Sequence, residues 1–140
     1  MTDLSKTETK LIYACSGAAD VGEIADRVAR KLRADGFTKM TCLAGIGAGL
    51  SAYVKSAKTT DVNITIDGCS VACAKNTLAK IGVQPTSYIL TDMGLIKCES
   101  MVTEEIVKQL ADKIKNKQDE TAKQVQIGTC GCSCGSTSNS

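Results

Sequence analysis

Apolar residues along this chain fall into short runs that alternate with stretches of helical spacing. Lys10-Leu11-Ile12-Tyr13-Ala14-Cys15 is an apolar run stopped by Ser16-Gly17, which predicts a first strand closed by a turn. Val21, Ile24, Ala25, Val28, Ala29 and Leu32 then recur at helical spacing, with Glu23, Asp26, Arg27, Arg30 and Lys31 on the other face. This predicts an amphipathic helix, with Asp20 as its N-cap and Gly36 as its end. A second strand is expected over about Lys39 to Leu43, with Cys42 close to its end. Gly45-Ile46-Gly47-Ala48-Gly49 follows, then a short helix with Leu50, Tyr53, Val54 and Ala57 on one side.

Val62 to Asp67 reads as a buried third strand, Gly68 as a tight turn, and the residues from about Cys73 to Ile81 as a helix with Leu78 inward. Gly82 and Pro85 stop that helix. Thr86 to Thr91 is a fourth strand, Asp92-Met93-Gly94 a turn, and Leu95-Ile96-Lys97-Cys98 a short antiparallel return strand. Thr103 caps a last helix whose apolar stripe is Val102, Ile106, Val107, Leu110 and Ile114, with Lys113, Lys115 and Lys117 crowding its end. Strands alternating with helices predict an α/β fold. The expectation is an open, mostly parallel twisted sheet of four or five strands with helices on both faces, a Rossmann-like three-layer arrangement. Residues 1–117 form the expected α/β metal-binding domain and residues 118–140 a flexible Cys-rich tail, since Gly128 to Ser140 holds only Gly, Ser, Thr, Asn and Cys.

At 140 residues the chain suits one domain with a core of its own. Aromatic residues are only 3% of it, so small and aliphatic side chains must fill the interior. A net charge of +2 with both signs interspersed leaves no nucleic-acid footprint. No apolar run approaches the roughly 20 residues of a membrane span, and the polar start lacks the apolar core of a secretory signal. A cytoplasmic protein is expected.

Cysteine changes the picture. Eight cysteines without an export signal argue against a disulfide framework, because the cytosol keeps thiols reduced. Histidine is absent, which excludes three-histidine zinc enzymes, serine–histidine catalysis and cysteine–histidine nucleophiles. Cys15, Cys42 and Cys69 each fall at or just past a predicted strand end, and Cys73 opens a helix. Parallel strands with right-handed crossovers bring such ends to one edge of the sheet. Four thiolates there make the tetrahedral set of structural zinc. Zinc with four thiolates carries a charge of about −2, which a helix N-terminus offsets in part. An iron–sulfur cluster is the alternative cofactor for the same donors.

Asp67-Gly68-Cys69 with Cys73-Ala74, Cys15-Ser16-Gly17, and Cys42 followed by Gly45-Ile46-Gly47 resemble the DGC-domain family. That family is described by four cysteines proposed to bind zinc. The resemblance covers about Lys10 to Thr91 and implies that Cys15, Cys42, Cys69 and Cys73 are the metal ligands, the same set that spacing selects. It implies no assigned activity. Asp67 reads either as turn or cap support or as an orienting neighbour of a ligand thiol.

The expected function is therefore zinc or other thiophilic metal binding, for storage, sensing or transfer. Partners would be a metal ion and a metal or sulfur donor or acceptor protein, with no nucleic acid and no membrane. A closed site argues against hydrolysis. The alternative is thiol or persulfide redox, or sulfur carriage, through Cys15 or Cys69. The spacing is C-x-x-x-C rather than the thioredoxin-like C-x-x-C. A cysteine-phosphatase loop needs Arg six residues beyond Cys15, where Val21 stands. Gly-x-Gly-x-Gly lacks the full dinucleotide spacing, and loop geometry or close backbone approach accounts for it better. Cys130, Cys132 and Cys134 are alternate-residue thiols able to chelate a soft ion. With Cys98 they number four, by count and not by geometry, and a redox pair or a delivering arm is the alternative reading of the tail.

Overall fold

A computed structural model describes residues 7–128, with side chains to 123. Four strands, β1 (Lys10–Ala14), β2 (Lys39–Met40), β3 (Val62–Asp67) and β4 (Thr86–Ile89), form one sheet in the order β2-β1-β3-β4. Every pairing is parallel, and β1 and β3 pair along five residues, from Lys10 with Val62 to Ala14 with Ile66. The fold is α/β, as the alternation of runs requires.

Helix α1 (Asp20–Ala34) crosses from β1 to β2, α2 (Leu43–Gly47) and α3 (Ser51–Thr59) lie between β2 and β3, and α4 (Cys73–Lys80) between β3 and β4. Helix α5 (Glu104–Gly128) closes the described chain. Successive strand residues face opposite ways, and β1 divides accordingly. Ile12 and Ala14 pack with Ile24, Val28 and Leu32 of α1 and Leu110 and Ile114 of α5. Tyr13 packs with Ile46 of α2, Ala57 of α3 and Leu78 of α4. One face is thus covered by α1 and α5 and the other by the three short helices.

Several elements differ from expectation. Leu95–Cys98 is not a strand, because its backbone is committed elsewhere. The Asp20 carboxylate accepts the N–H groups of Cys98 and Ser100, both at 2.8 Å, and the Ser100 hydroxyl closes on Ile96 N and O. Asp20 is consequently not the N-cap of α1. Ala19 holds that position without a side-chain bond, while Asp20 pins the distant loop. The fourth strand ends at Ile89 and passes into a 3-10 turn, Leu90–Met93. The second strand spans only two residues, and Cys42 becomes the N-cap residue of α2.

The polar stretch from Gln118, expected to leave the fold, continues α5 to Gly128. Gln118 is buried and its amide donates to the Tyr88 hydroxyl at 2.7 Å, so a polar residue extends the apolar stripe by one turn. Cys130, Cys132 and Cys134 lie outside the described residues.

Candidate thiol site at the carboxyl edge of the sheet

Parallel strands place their carboxyl ends on one edge, and three of the cysteines follow those ends. Cys15 comes directly after β1, Cys42 two residues after β2, and Cys69 two residues after β3, while Cys73 is the first residue of α4. Cys15 and Cys69 are half-buried, and Cys42, Cys73 and Cys98 are exposed. Cys15 Sγ accepts the backbone N–H of Gly68 at 3.3 Å. The first cysteine therefore touches the turn that carries the third. The β1–β3 pairing extends to this point, since Cys15 N donates to Ile66 O at 3.0 Å.

Gly68 is required by close packing. A Cβ there would stand 2.6 Å from the carbonyl carbon of Val21 and 2.8 Å from Gly22 N, so the turn lies directly on the first turn of α1. Gly22 in turn accommodates Gly17 N and O, at 2.7 and 2.6 Å from the position of its own missing Cβ. Gly45 serves packing as well, since a Cβ would strike the Tyr53 ring at 2.6 Å. Gly45 is thus explained by helix–helix contact, and Gly49, at the end of the segment, by its left-handed backbone (φ 71°).

Asp67 is buried, and its carboxylate accepts Ala74 N at 2.7 Å and Lys75 N at 3.1 Å. It caps α4 from the end of β3 and fixes where Cys73 begins the helix. Burial raises its pKa above the usual value, while the two backbone N–H bonds pull the other way. Of the two sequence readings, cap support is the one with direct contacts.

Non-glycine residues with left-handed backbone lie beside the thiols: Ser16 (φ 49°), Ala72 (φ 53°) and Cys98 (φ 71°). Each such conformation costs roughly 1–2 kcal/mol for a residue with a Cβ, so strain is concentrated at this edge.

Cationic groups also reach the edge. Lys97 Nζ lies 3.8 Å from Cys69 Sγ, brought there by the loop that Asp20 holds. A cavity of about 830 Å³ contains Cys15 and Cys42 together with Asp26, Arg30, Arg33 and Tyr53 in its lining. Cys69 and Cys73 are not part of that lining. Among the described residues, no group of three or more Cys, Asp or Glu side chains stands ready around a common point for a metal ion. The edge pairs Cys15 with Cys42 along the cavity and Cys15 with the Gly68 turn, without closing all four thiols on one centre.

Sequence patterns alone missed Lys97, Asp20 and the arginines. Asp26 and Arg30 carry the signature of a solvated helix face. The i, i+4 pairing that joins them gives no sign that the same face borders a thiol cavity.

The fold, the glycine packing and the order of cysteines define a class, and comparison agrees with it. Residues 11–114 match the DGC domain, and the chain belongs to the DGC-domain family. A relative from Pseudomonas aeruginosa, the anaerobic and virulence modulator AnvM, is 33% identical over 106 residues, which cover 71% of this chain and 81% of that protein. No solved structure matches the chain. No helix among the described residues is long and apolar enough to cross a membrane.

Proposed function

We propose that this chain is a cytoplasmic metal-binding protein that takes a thiophilic ion, zinc foremost, on Cys15, Cys42, Cys69 and Cys73. The observation that carries the reading is delivery: three parallel strands bring cysteines to one edge, and Cys15 Sγ already rests on the turn before Cys69. The donor set fits zinc in kind, since thiolates are its preferred structural ligands. It fits an iron–sulfur cluster equally. The Gly68 N–H and the Lys97 ammonium offset negative sulfur at Cys15 and Cys69. Binding would draw the exposed Cys42 and Cys73 inward onto the half-buried pair. Exposed ligands suit storage, sensing or exchange of the ion with a donor or acceptor protein. The name of AnvM ties that relative to anaerobic conditions, under which reduced thiols persist.

Metal content of anaerobically purified protein tests the reading, measured on the full chain and on a chain ending at Gly128. One equivalent in both assigns the ion to the edge, and a visible absorption band identifies iron–sulfur in place of zinc. A Cys42→Ser variant that retains full stoichiometry and affinity overturns the ligand set.

A second reading, thiol or persulfide carriage by Cys15 or Cys69, is favoured by the same N–H and ammonium contacts to sulfur and by the open arrangement of the thiols. Fast stoichiometric alkylation of one of these cysteines in the as-isolated protein, without metal release, selects it over the first.

A further inference from the structure

We propose that the cavity holding Cys15 and Cys42 binds a small carboxylate anion through Arg30 and Arg33. The inference does not rest on metal binding, because it concerns what approaches these two sulfurs in the reduced, metal-free protein.

The cavity has sulfur and cationic groups in one lining. Asp26 organises it: the Ser16 hydroxyl donates to Asp26 Oδ1 at 2.9 Å and Arg30 Nε donates to Oδ2 at 2.6 Å. Ser16 follows Cys15, so this relay brings the Arg30 guanidinium toward the first thiol. Side chains on α1 lean toward its N-terminus, which is the carboxyl edge of the sheet. Only the Nε of Arg30 is engaged by a protein partner among the described residues, and Arg33 has none. Two guanidiniums against the single carboxylate of Asp26 leave the lining with a net positive charge.

Free guanidinium N–H groups match the two oxygens of a carboxylate. A volume of about 830 Å³ falls within the range of small-molecule sites. The planar fork of a guanidinium suits a carboxylate, and a carboxylate seated on Arg30 or Arg33 brings the rest of its molecule alongside Cys15 and Cys42.

The test compares iodoacetate with iodoacetamide on the full chain, reduced and metal-free, with each cysteine followed by peptide mass spectrometry. In either reaction the cysteine sulfur forms a bond to carbon, the carbon–iodine bond breaks, iodide leaves, and the thiol proton passes to buffer. The iodoacetate-to-iodoacetamide rate ratio at Cys15 and Cys42 is expected to exceed that of an Arg30→Gln/Arg33→Gln double variant by roughly 10-fold at low salt. An unchanged ratio in the double variant overturns the site. Titration with succinate, followed by the amide resonances of Gly68 and Thr41, is expected to saturate in the native chain and not in the double variant. Inorganic phosphate saturating the same amides as tightly would overturn the ligand class.

Discussion

A methyl group on Gly68 would meet the Val21 carbonyl and the Gly22 nitrogen, all of it backbone at 2.6–2.8 Å, and backbone at a helix start has nowhere to yield. Gly68→Ala is therefore expected to lose about 1–3 kcal/mol by overpacking in chemical denaturation. Gly17→Ala, where nothing lies within 4 Å, should stay within about 0.5 kcal/mol. Asp67 makes a second prediction at this scale. Its folded pKa is raised, chiefly by burial, from the usual 3.8, so the folded state holds its proton more tightly than the unfolded chain. The stability this proton contributes is present in acid and is lost as pH rises through the raised value. Denaturation of the native chain and an Asp67→Asn variant across that range should show the native chain losing ground from pH 3.8 upward, then a constant difference. Asp67→Ala removes both caps of α4 and should cost about 1–3 kcal/mol at neutral pH.

Between elements, the Tyr13 hydroxyl of β1 donates to Asn63 Oδ1 of β3 at 2.9 Å, and the Asn63 amide donates to Ala57 O in α3 at 2.8 Å. This buried relay ties two strands to one helix. Burial pushes the Tyr13 pKa up to about 12 from 10.0, so the contribution of its neutral form is complete below pH 10 and is lost as pH rises towards 12. Tyr13→Phe should lose roughly 1–3 kcal/mol by leaving the Asn63 oxygen unpaired, and its stability should decline less steeply above pH 10. The strands and helices were largely legible because apolar spacing reports burial, as α1 illustrates from Val21 to Leu32. The Leu95–Cys98 segment was not, since its apolar run resembles a strand while a carboxylate 78 residues away claims the Cys98 N–H. The cysteine order was readable from strand ends. Lys97 beside Cys69, and the arginines beside Cys15, depend on how a loop and a helix face fold back, and local spacing holds no record of that.

Across the whole molecule, α5 and α1 cover the same sheet face, joined at the surface by Lys115 to Asp35 at 2.7 Å. The reach of α5 to Gln118 was hidden because a glutamine on an apolar stripe reads as its end. A chain ending at Lys117 loses the Gln118–Tyr88 bond and should be less stable than one ending at Gly128 by about 1–2 kcal/mol. Gln118→Ala should reproduce most of that loss, with both read from urea midpoints.

The strand order also divides the thiols by how firmly each is anchored. Cys15 and Cys69 extend from β1 and β3, the paired centre of the sheet, whose amides open only with the most costly fluctuations. Cys42 hangs from a two-residue edge strand, and Cys98 from a loop held by one carboxylate. Any partner that engages this edge would complete its grip only as the exposed Cys42 moves onto the half-buried, firmly held pair. The rate of capture would then be set by opening of the β2 edge, and stiffening that edge would slow arrival and departure together.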